Sequence, residues 1–300
     1  MVPRIEGLEI QIMGGLGNQL HGFAAGMVIA NRLGLKLIVN SERVRFGSNL
    51  SRRLEIHHLL PDKLRASVLL EDGSLMKMKF GYEKARRASK GILPLINFFS
   101  EPDFFDSGMS TTTQLAALPE TTRSVGGPFI DYEWADQAAL LGFPTNLSLK
   151  SPSEIFENVS SEVTNESVAI HIRLGDYLSL PEIFPIPSEG YYLEALHSLE
   201  VTKTCPIHVY TDSPKKILAR YSRLLAFPNI QVIDVKSQLS SVEVMTLMSK
   251  YNRLVATNST FSSWAAWFSP DKLVTTPTPH LNANWSDRMP AKWQRLPINL

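Results

Sequence analysis

From Val168 to Phe268 the sequence alternates short apolar runs with helical segments, and that alternation leaves few folds open. Strands are expected at residues 168–172, 207–211, 230–235 and 253–256, and helices at 188–199, 214–225, 242–251 and 260–268. Strands separated by helices require crossover connections, so they build a parallel sheet covered on both faces. The first forty residues repeat the theme. An apolar run at 8–13 is followed by Gly14, Gly15 and Gly17, which loosen the backbone. Helical spacing over 19–33 follows, with Gly34 as terminator and a strand at 35–39. A strand–helix–strand of this length is a parallel crossover unit.

Between Asn40 and Ser167 the pattern weakens. Residues 54–60 and 62–70 read as helical and the basic run 84–90 as a solvated helix face; Pro94, Pro102, Pro119, Pro128, Pro144 and Pro152 punctuate the rest. A polar, Pro-bearing stretch at 145–153 marks the boundary between two expected domains, 1–150 and 151–300. Two α/β halves of this kind place ligands at the carboxyl ends of their strands, in a cleft between the domains.

Composition excludes several classes of partner. Thirty Lys plus Arg against 29 Asp plus Glu leave a net charge of +1, so nothing favours nucleic acid. An anionic ligand has to be met by a few placed groups. The single cysteine, Cys205, rules out an intramolecular disulfide and a cysteine-built zinc site, and favours a reducing compartment. No Asp-x-Asp pair follows an expected strand, so no metal site is expected. The N-terminus lacks the pattern of a signal peptide, and no apolar stretch approaches the ~20 residues that span a bilayer. The Asn-x-Ser/Thr triplets at Asn49, Asn146, Asn158, Asn165, Asn258 and Asn284 are read as coincidental. A cytoplasmic protein is expected, in solution or peripheral on the inner membrane face.

Four segments carry chemistry. In VAIHIRLGDYL (168–178), alternation sends Ala169 and His171 to one side and Val168, Ile170 and Ile172 to the other. Arg173 then stands at the strand's carboxyl end, where its fork of donors can grip two phosphate oxygens. Gly175 lets the chain turn, Asp176 orients the arginine or caps the turn, and Tyr177 closes the block. A structural Arg–Asp pair would also account for these residues. In ATNSTFSSWAAWF (256–268), Asn258, Ser259 and Thr260 are strong helix N-caps, and the free amides behind them suit a diphosphate. A plain capped helix would explain the same residues, and Trp264 and Trp267 read as core. In GGLGNQLHGFAAG (14–26), the spacing fits neither a nucleotide-triphosphate loop nor a dinucleotide fingerprint. What remains is a turn placing Asn18 and Gln19 at a helix start, to meet a sugar hydroxyl or to cap the helix. In IHVYTDS (207–213), Asp212 ends a strand, where it accepts from a nucleoside or caps the next helix.

GGLGNQL, HIRLGDY, YTDSP and NSTFSSWAAW, with PFIDYEWAD, the Tyr191–Tyr192 pair and a late Trp293, resemble in order the bacterial α-1,2-fucosyltransferases of glycosyltransferase family 11. The resemblance implies a GT-B fold of two Rossmann-like domains and inverting, metal-independent transfer of L-fucose from GDP-fucose to the 2-OH of a galactose-containing glycan. GDP-fucose is then a substrate, with no cofactor. The N-terminal domain would face the acceptor and the C-terminal domain would hold the donor. Arg173, Asn18, His171 and Asp176 would be catalytic. Gly15, Gly17, Arg173, Gly175, Tyr177, Asp212, Asn258, Ser259, Thr260 and Phe261 would line the donor. Gln19, His21, Asp131 and Trp134 would meet the acceptor. His21, Asp131, Glu133 and Asp176 are candidate bases. The chain departs from the family pattern at His21–Gly22–Phe23, Ser263, Tyr251 and Val244, and the first of these bears on acceptor identity. Another GDP-sugar transferase of the same fold and a non-catalytic glycan-binding relative are the alternatives.

Overall fold

A computed structural model describes residues 7–41, 44, 53–62, 64, 69–71, 104–106, 112–127, 129–236, 239–269, 271–279 and 289–300. The basic run 84–90, Pro94, Pro102, Pro128, Asn49 and Asn284 lie outside these residues. The chain divides into two compact units, Met1–Phe143 and Pro144–Leu300.

The first unit is built on β1 (Gly7–Gln11), α1 (Leu16–Leu33), β2 (Lys36–Asn40), β3 (Leu69–Glu71), β4 (Phe104–Asp106), β5 (Ser124–Gly126) and α2 (Glu133–Leu140). Its five strands run parallel in the order β3-β2-β1-β5-β4. α1 begins at Leu16, three residues before the expected start, because Gly15 is already its extended N-cap. Of the three glycines in the turn only Gly14 is left-handed, at φ +72°. Gly34 ends the helix in the left-handed region, its N–H turned back to the carbonyls of Ala30 and Asn31. Gly26 lets α1 lie on the sheet: a Cβ there would stand 2.9 Å from Leu37 Cδ1 and 3.1 Å from Ile10 Cβ. The helix expected at 54–60 is a short 3-10 turn, Ile56–His58, and the one expected at 62–70 gives way to β3 at its end. Apolar runs this short do not distinguish helix from buried strand.

The second unit comprises α3 (Glu154–Ser161), β6 (Val168–Ile172), α4 (Glu189–Ser198), β7 (Ile207–Thr211), α5 (Pro214–Arg220), β8 (Ile230–Asp234), α6 (Ser241–Ser249), β9 (Arg253–Val255), α7 (Thr260–Trp267), β10 (Leu273–Thr278) and β11 (Gln294–Pro297). The six strands are parallel, ordered β11-β10-β9-β6-β7-β8. From β6 the chain proceeds through β7 to β8 on one side and returns to β9 on the other. The order therefore reverses between β6 and β9, where a doubly wound sheet opens a crevice.

Alternation along β6 is kept. Val168, Ile170, Ile172 and Leu174 join one core with Tyr191, Tyr192 and Leu196 of α4 and with Ile217 and Tyr221. Full burial of each aliphatic side chain contributes about 1.5–3 kcal/mol. His171 turns to the opposite face, its ring centroid 5.6 Å from that of Phe261 in α7. Trp264 is wholly buried and packs on Trp267 and Phe268, as a core residue should.

Two polar devices fix the helices of that layer. Glu243 closes a capping box with Ser240 at the start of α6 and accepts the Ser153 N–H at 2.8 Å, which ties α3 to α6. Buried Lys272 donates to the carbonyls of Met248, Ser249 and Ala265, at the ends of α6 and α7. Among the described residues, no helix is long and apolar enough to cross a membrane.

Candidate active site

The residues at the carboxyl ends of β6, β7 and β9 form one connected group. Arg173 continues the His171 side of β6. Asp176 takes its guanidinium in a fork: Nε donates at 3.1 Å and Nη2 at 3.0 and 2.9 Å. The guanidinium also lies 4.8 Å from the centroid of the Tyr177 ring. Burial works against the charge of Arg173, but Tyr177 and Asp176 together hold its pKa above the ordinary value. The residue is therefore a fixed cation, and its Nη1 edge has no protein partner among the described residues.

Asp212 sets the path of the turn that carries Arg173. Its Oδ1 accepts the amides of Leu174 at 3.0 Å and Gly175 at 3.1 Å, while Oδ2 faces Lys236 Nζ at 3.8 Å. Burial alone would raise the Asp212 pKa, but these two amides, with Lys236 and Arg173, bring it below the ordinary value. It does not cap α5, whose N-cap is Ser213. Gly175 is glycine because Asp212 leaves no room for a side chain: a Cβ would lie 3.1 Å from Asp212 Cγ and in tighter contact with Oδ2. Its φ is not left-handed, so close approach rather than turn geometry accounts for it.

Tyr177 bridges the crevice. Its hydroxyl donates to the Asn258 carbonyl at 3.1 Å, and its ring stacks on Phe184 at 4.4 Å. Burial raises its pKa. Asn258 donates from Nδ2 to the Pro185 carbonyl and accepts the Thr257 hydroxyl through Oδ1, so its amide holds loops together. Ser259 is the N-cap of α7 and accepts the Phe261 N–H at 3.3 Å. Thr260 and Phe261 are half-buried at the first turn. His171 is buried, its pKa pulled down to about 3 by burial and by Arg173, so its imidazole is neutral.

The first unit places its expected residues differently. Asn18 is half-buried, folded against Gly14. Gln19 is fully buried, and its amide is spent on main chain: Nε2 donates to Gly14 and Arg53 carbonyls, and Oε1 accepts from Glu55 and Ile56. It anchors the 53–56 segment. His21 is also fully buried, edge-on to Tyr132 at 4.8 Å. Asp131 accepts the Glu133 N–H at the start of α2, and buried Trp134 packs against Phe129. Gly15 and Gly17 shape the start of α1. Thus His171, Arg173, Gly175, Asp176, Tyr177, Asp212 and Asn258 to Phe261 are brought together in the second unit, while Gln19, His21, Asp131 and Trp134 are buried in the first. Lys236 and Phe184 join the group without having been expected; no motif marks them.

A cation at a strand end beside a helix N-terminus, at a switch point, is equipped to hold a diphosphate. The sequence model of glycosyl transferase family 11 matches residues 151–292, nearly all of this unit. The second unit is thus similar in sequence to glycosyl transferase family 11. The O-antigen biosynthesis glycosyltransferase WbnK of Escherichia coli is 24% identical over 292 residues, covering 89% of this chain and 92% of its own. An alpha-1,2-colitosyltransferase of Escherichia coli is 31% identical over 160 residues, 50% of this chain and 52% of its own. Among solved structures, NodZ alpha-1,6-fucosyltransferase co-crystallized with GDP superposes with a TM-score of 0.51 at 15% identity, over 88% of this chain and 92% of its own. Se-Met fucosyltransferase NodZ from Bradyrhizobium gives 0.50 at 16% identity, with the same coverage. These likenesses give the fold, GT-B with two Rossmann-like units. The sequence matches, to the family model over residues 151–292 and to WbnK over most of the chain, are to glycosyltransferases.

Proposed function

We propose that the chain transfers L-fucose from GDP-fucose to the 2-OH of a galactoside, with inversion and without a metal ion. The observation that carries this reading is Arg173, locked by Asp176 and Tyr177 beside the N-terminus of α7. As the bond from the anomeric carbon to the β-phosphate oxygen breaks, negative charge collects on departing GDP. Arg173 meets that charge through a guanidinium that needs no reorientation, and Ser259 with the first-turn amides of α7 adds donors. Neutral His171, packed 5.6 Å from the Phe261 ring, adds no charge of its own beside the diphosphate. The acceptor oxygen bonds to the anomeric carbon from the opposite face of the sugar as the bond to GDP breaks, and its proton passes to solvent.

A colitosyl donor is the second reading, favoured by the 31% identity to the colitosyltransferase. Release of GDP from GDP-fucose, with and without β-galactosides and in excess EDTA, tests the first. Acceptor-stimulated release that survives EDTA, with an α-1,2 linkage by NMR, is expected. Release abolished by EDTA, or elicited only by the activated form of colitose, refutes it.

A further inference from the structure

On the first unit, two buried side-chain oxygens, Gln11 Oε1 and Ser124 Oγ, have no hydrogen-bond partner. The order of that sheet reverses at β1, whose neighbours are β2 and β5, so its crevice opens at the carboxyl ends of β1 and β5. The last residue of β1 is Gln11, in register with Asn40 of β2 and Gly126 of β5; two residues upstream, Glu9 is in register with Ser124. These side chains share one face, opposite the Leu8 and Ile10 face on which α1 packs. They are buried, Gln11 to 5% exposure and Ser124 to 7%, yet neither Gln11 Oε1 nor Ser124 Oγ has a hydrogen-bond partner. An unpaired buried acceptor typically costs ~1–3 kcal/mol, so two on adjacent strands need a reason. The Gln11 amide head lies over Gly126, where a Cβ would stand 3.4 Å from Oε1, so the floor of the group is bare backbone.

We infer that Gln11 and Ser124, over the Gly126 floor, form a subsite for a hydroxyl-bearing sugar ring of the acceptor, a reading that rests on the transferase assignment. The chemistry selects the ligand class. Buried Glu9, to which Asn40 Nδ2 donates at 3.1 Å, puts a carboxylate on the same face, which disfavours phosphate. An apolar ligand would leave both oxygens unpaired. A neutral polyol has O–H donors for Gln11 Oε1 and Ser124 Oγ, and the glycine floor lets the ring approach the sheet. Three residues beyond Gln11 begins the Gly14–Asn18 turn, so the subsite adjoins the asparagine that the family resemblance makes catalytic.

Gln11→Leu and Gly126→Ala test this in the full-length chain. The leucine removes an unsatisfied polar head, and the alanine methyl meets only ordinary contacts, so both proteins should melt at or above the wild-type temperature. Binding of lactose and N-acetyllactosamine is read by saturation-transfer NMR, and acceptor KM by GDP release. Both variants should weaken acceptor binding and raise KM, Gln11→Leu about tenfold for the loss of one buried hydrogen bond and Gly126→Ala because its methyl covers the floor, with unchanged affinity for GDP. Unaltered disaccharide binding in both variants, or no binding to the wild type, overturns the subsite. Failure of the transferase reading is distinguishable, since it shows as no GDP release by the wild type while disaccharide binding still reports on Gln11.

Discussion

Replacing Gly175 by alanine tests whether Asp212 holds the arginine turn in place. Gly175 is not left-handed, so an alanine backbone is permitted there and by itself would stabilise the fold by ~0.4–1 kcal/mol. The methyl, however, would sit 3.1 Å from Asp212 Cγ, closer still to Oδ2 and 3.5 Å from Lys236 Nζ. Asp212 must swing away and give up the amides of Leu174 and Gly175, each a hydrogen bond to a charged group worth ~1.5–3 kcal/mol. The net loss is about 2–5 kcal/mol. Asp212→Ala removes the same two bonds and should cost about as much. The decisive quantity is their coupling. In the Asp212→Ala background the Gly175→Ala change has nothing left to displace, so it should be neutral or stabilising. Urea unfolding of the four proteins, followed by amide exchange in the strands of the second unit, measures the cycle. Additive losses, with the double variant as unstable as the sum of the singles, would refute the account of both residues.

Arg173→Lys keeps the charge but loses the fork to Asp176 and the stacking on Tyr177; turnover should fall ~10²–10³-fold with melting unchanged, read by steady-state GDP release and calorimetry. Lys272→Met strands the carbonyls at the ends of α6 and α7, and a fall in Tm of at least about 5 °C is expected. Burial would raise the Glu243 pKa, but the hydrogen bonds from Ser153 and Ser240 outweigh it and bring it from 4.5 to about 2. A carboxylate with a lowered folded-state pKa stabilises fully above 4.5 and loses that contribution as pH falls towards 2. Glu243→Gln should therefore flatten the acid limb of the stability curve, measured as Tm against pH from 6 to about 2.5.

What the sequence disclosed was local. The β6 run, the turn after it, the N-cap of α7 and the Gly34 stop of α1 all depend on residues within a few positions of one another, and periodicity and capping chemistry suffice for those. The Arg173–Asp176 pair falls in the same class, three residues apart. Roles set by pairing across the fold were not legible. Asp212 lies 37 and 38 residues from the amides it holds, and only the β6–β7 register reveals that it serves the arginine turn. The helix-start position of Gln19 suits a sugar hydroxyl or a cap, and nothing local reveals that its amide bonds a segment 34 to 37 residues away. The position of Gly175 suggests a turn requirement, whereas the close approach of Asp212 is what demands a glycine there. β10 and β11 were not anticipated, although the β-branched LVTTPT run was a signal for the first of them. The open polar atoms of Gln11 and Ser124 emerge only when β1 and β5 are seen side by side.

The central claim is that Arg173, set beside the first turn of α7, holds a nucleoside diphosphate. Titration calorimetry of GDP into the full-length protein in EDTA, for the wild type and Arg173→Ala, tests it most directly. The account predicts binding by the wild type and an affinity at least tenfold weaker in the variant, with both proteins folded. Equal affinity in the two, or no GDP binding by the wild type, would contradict it.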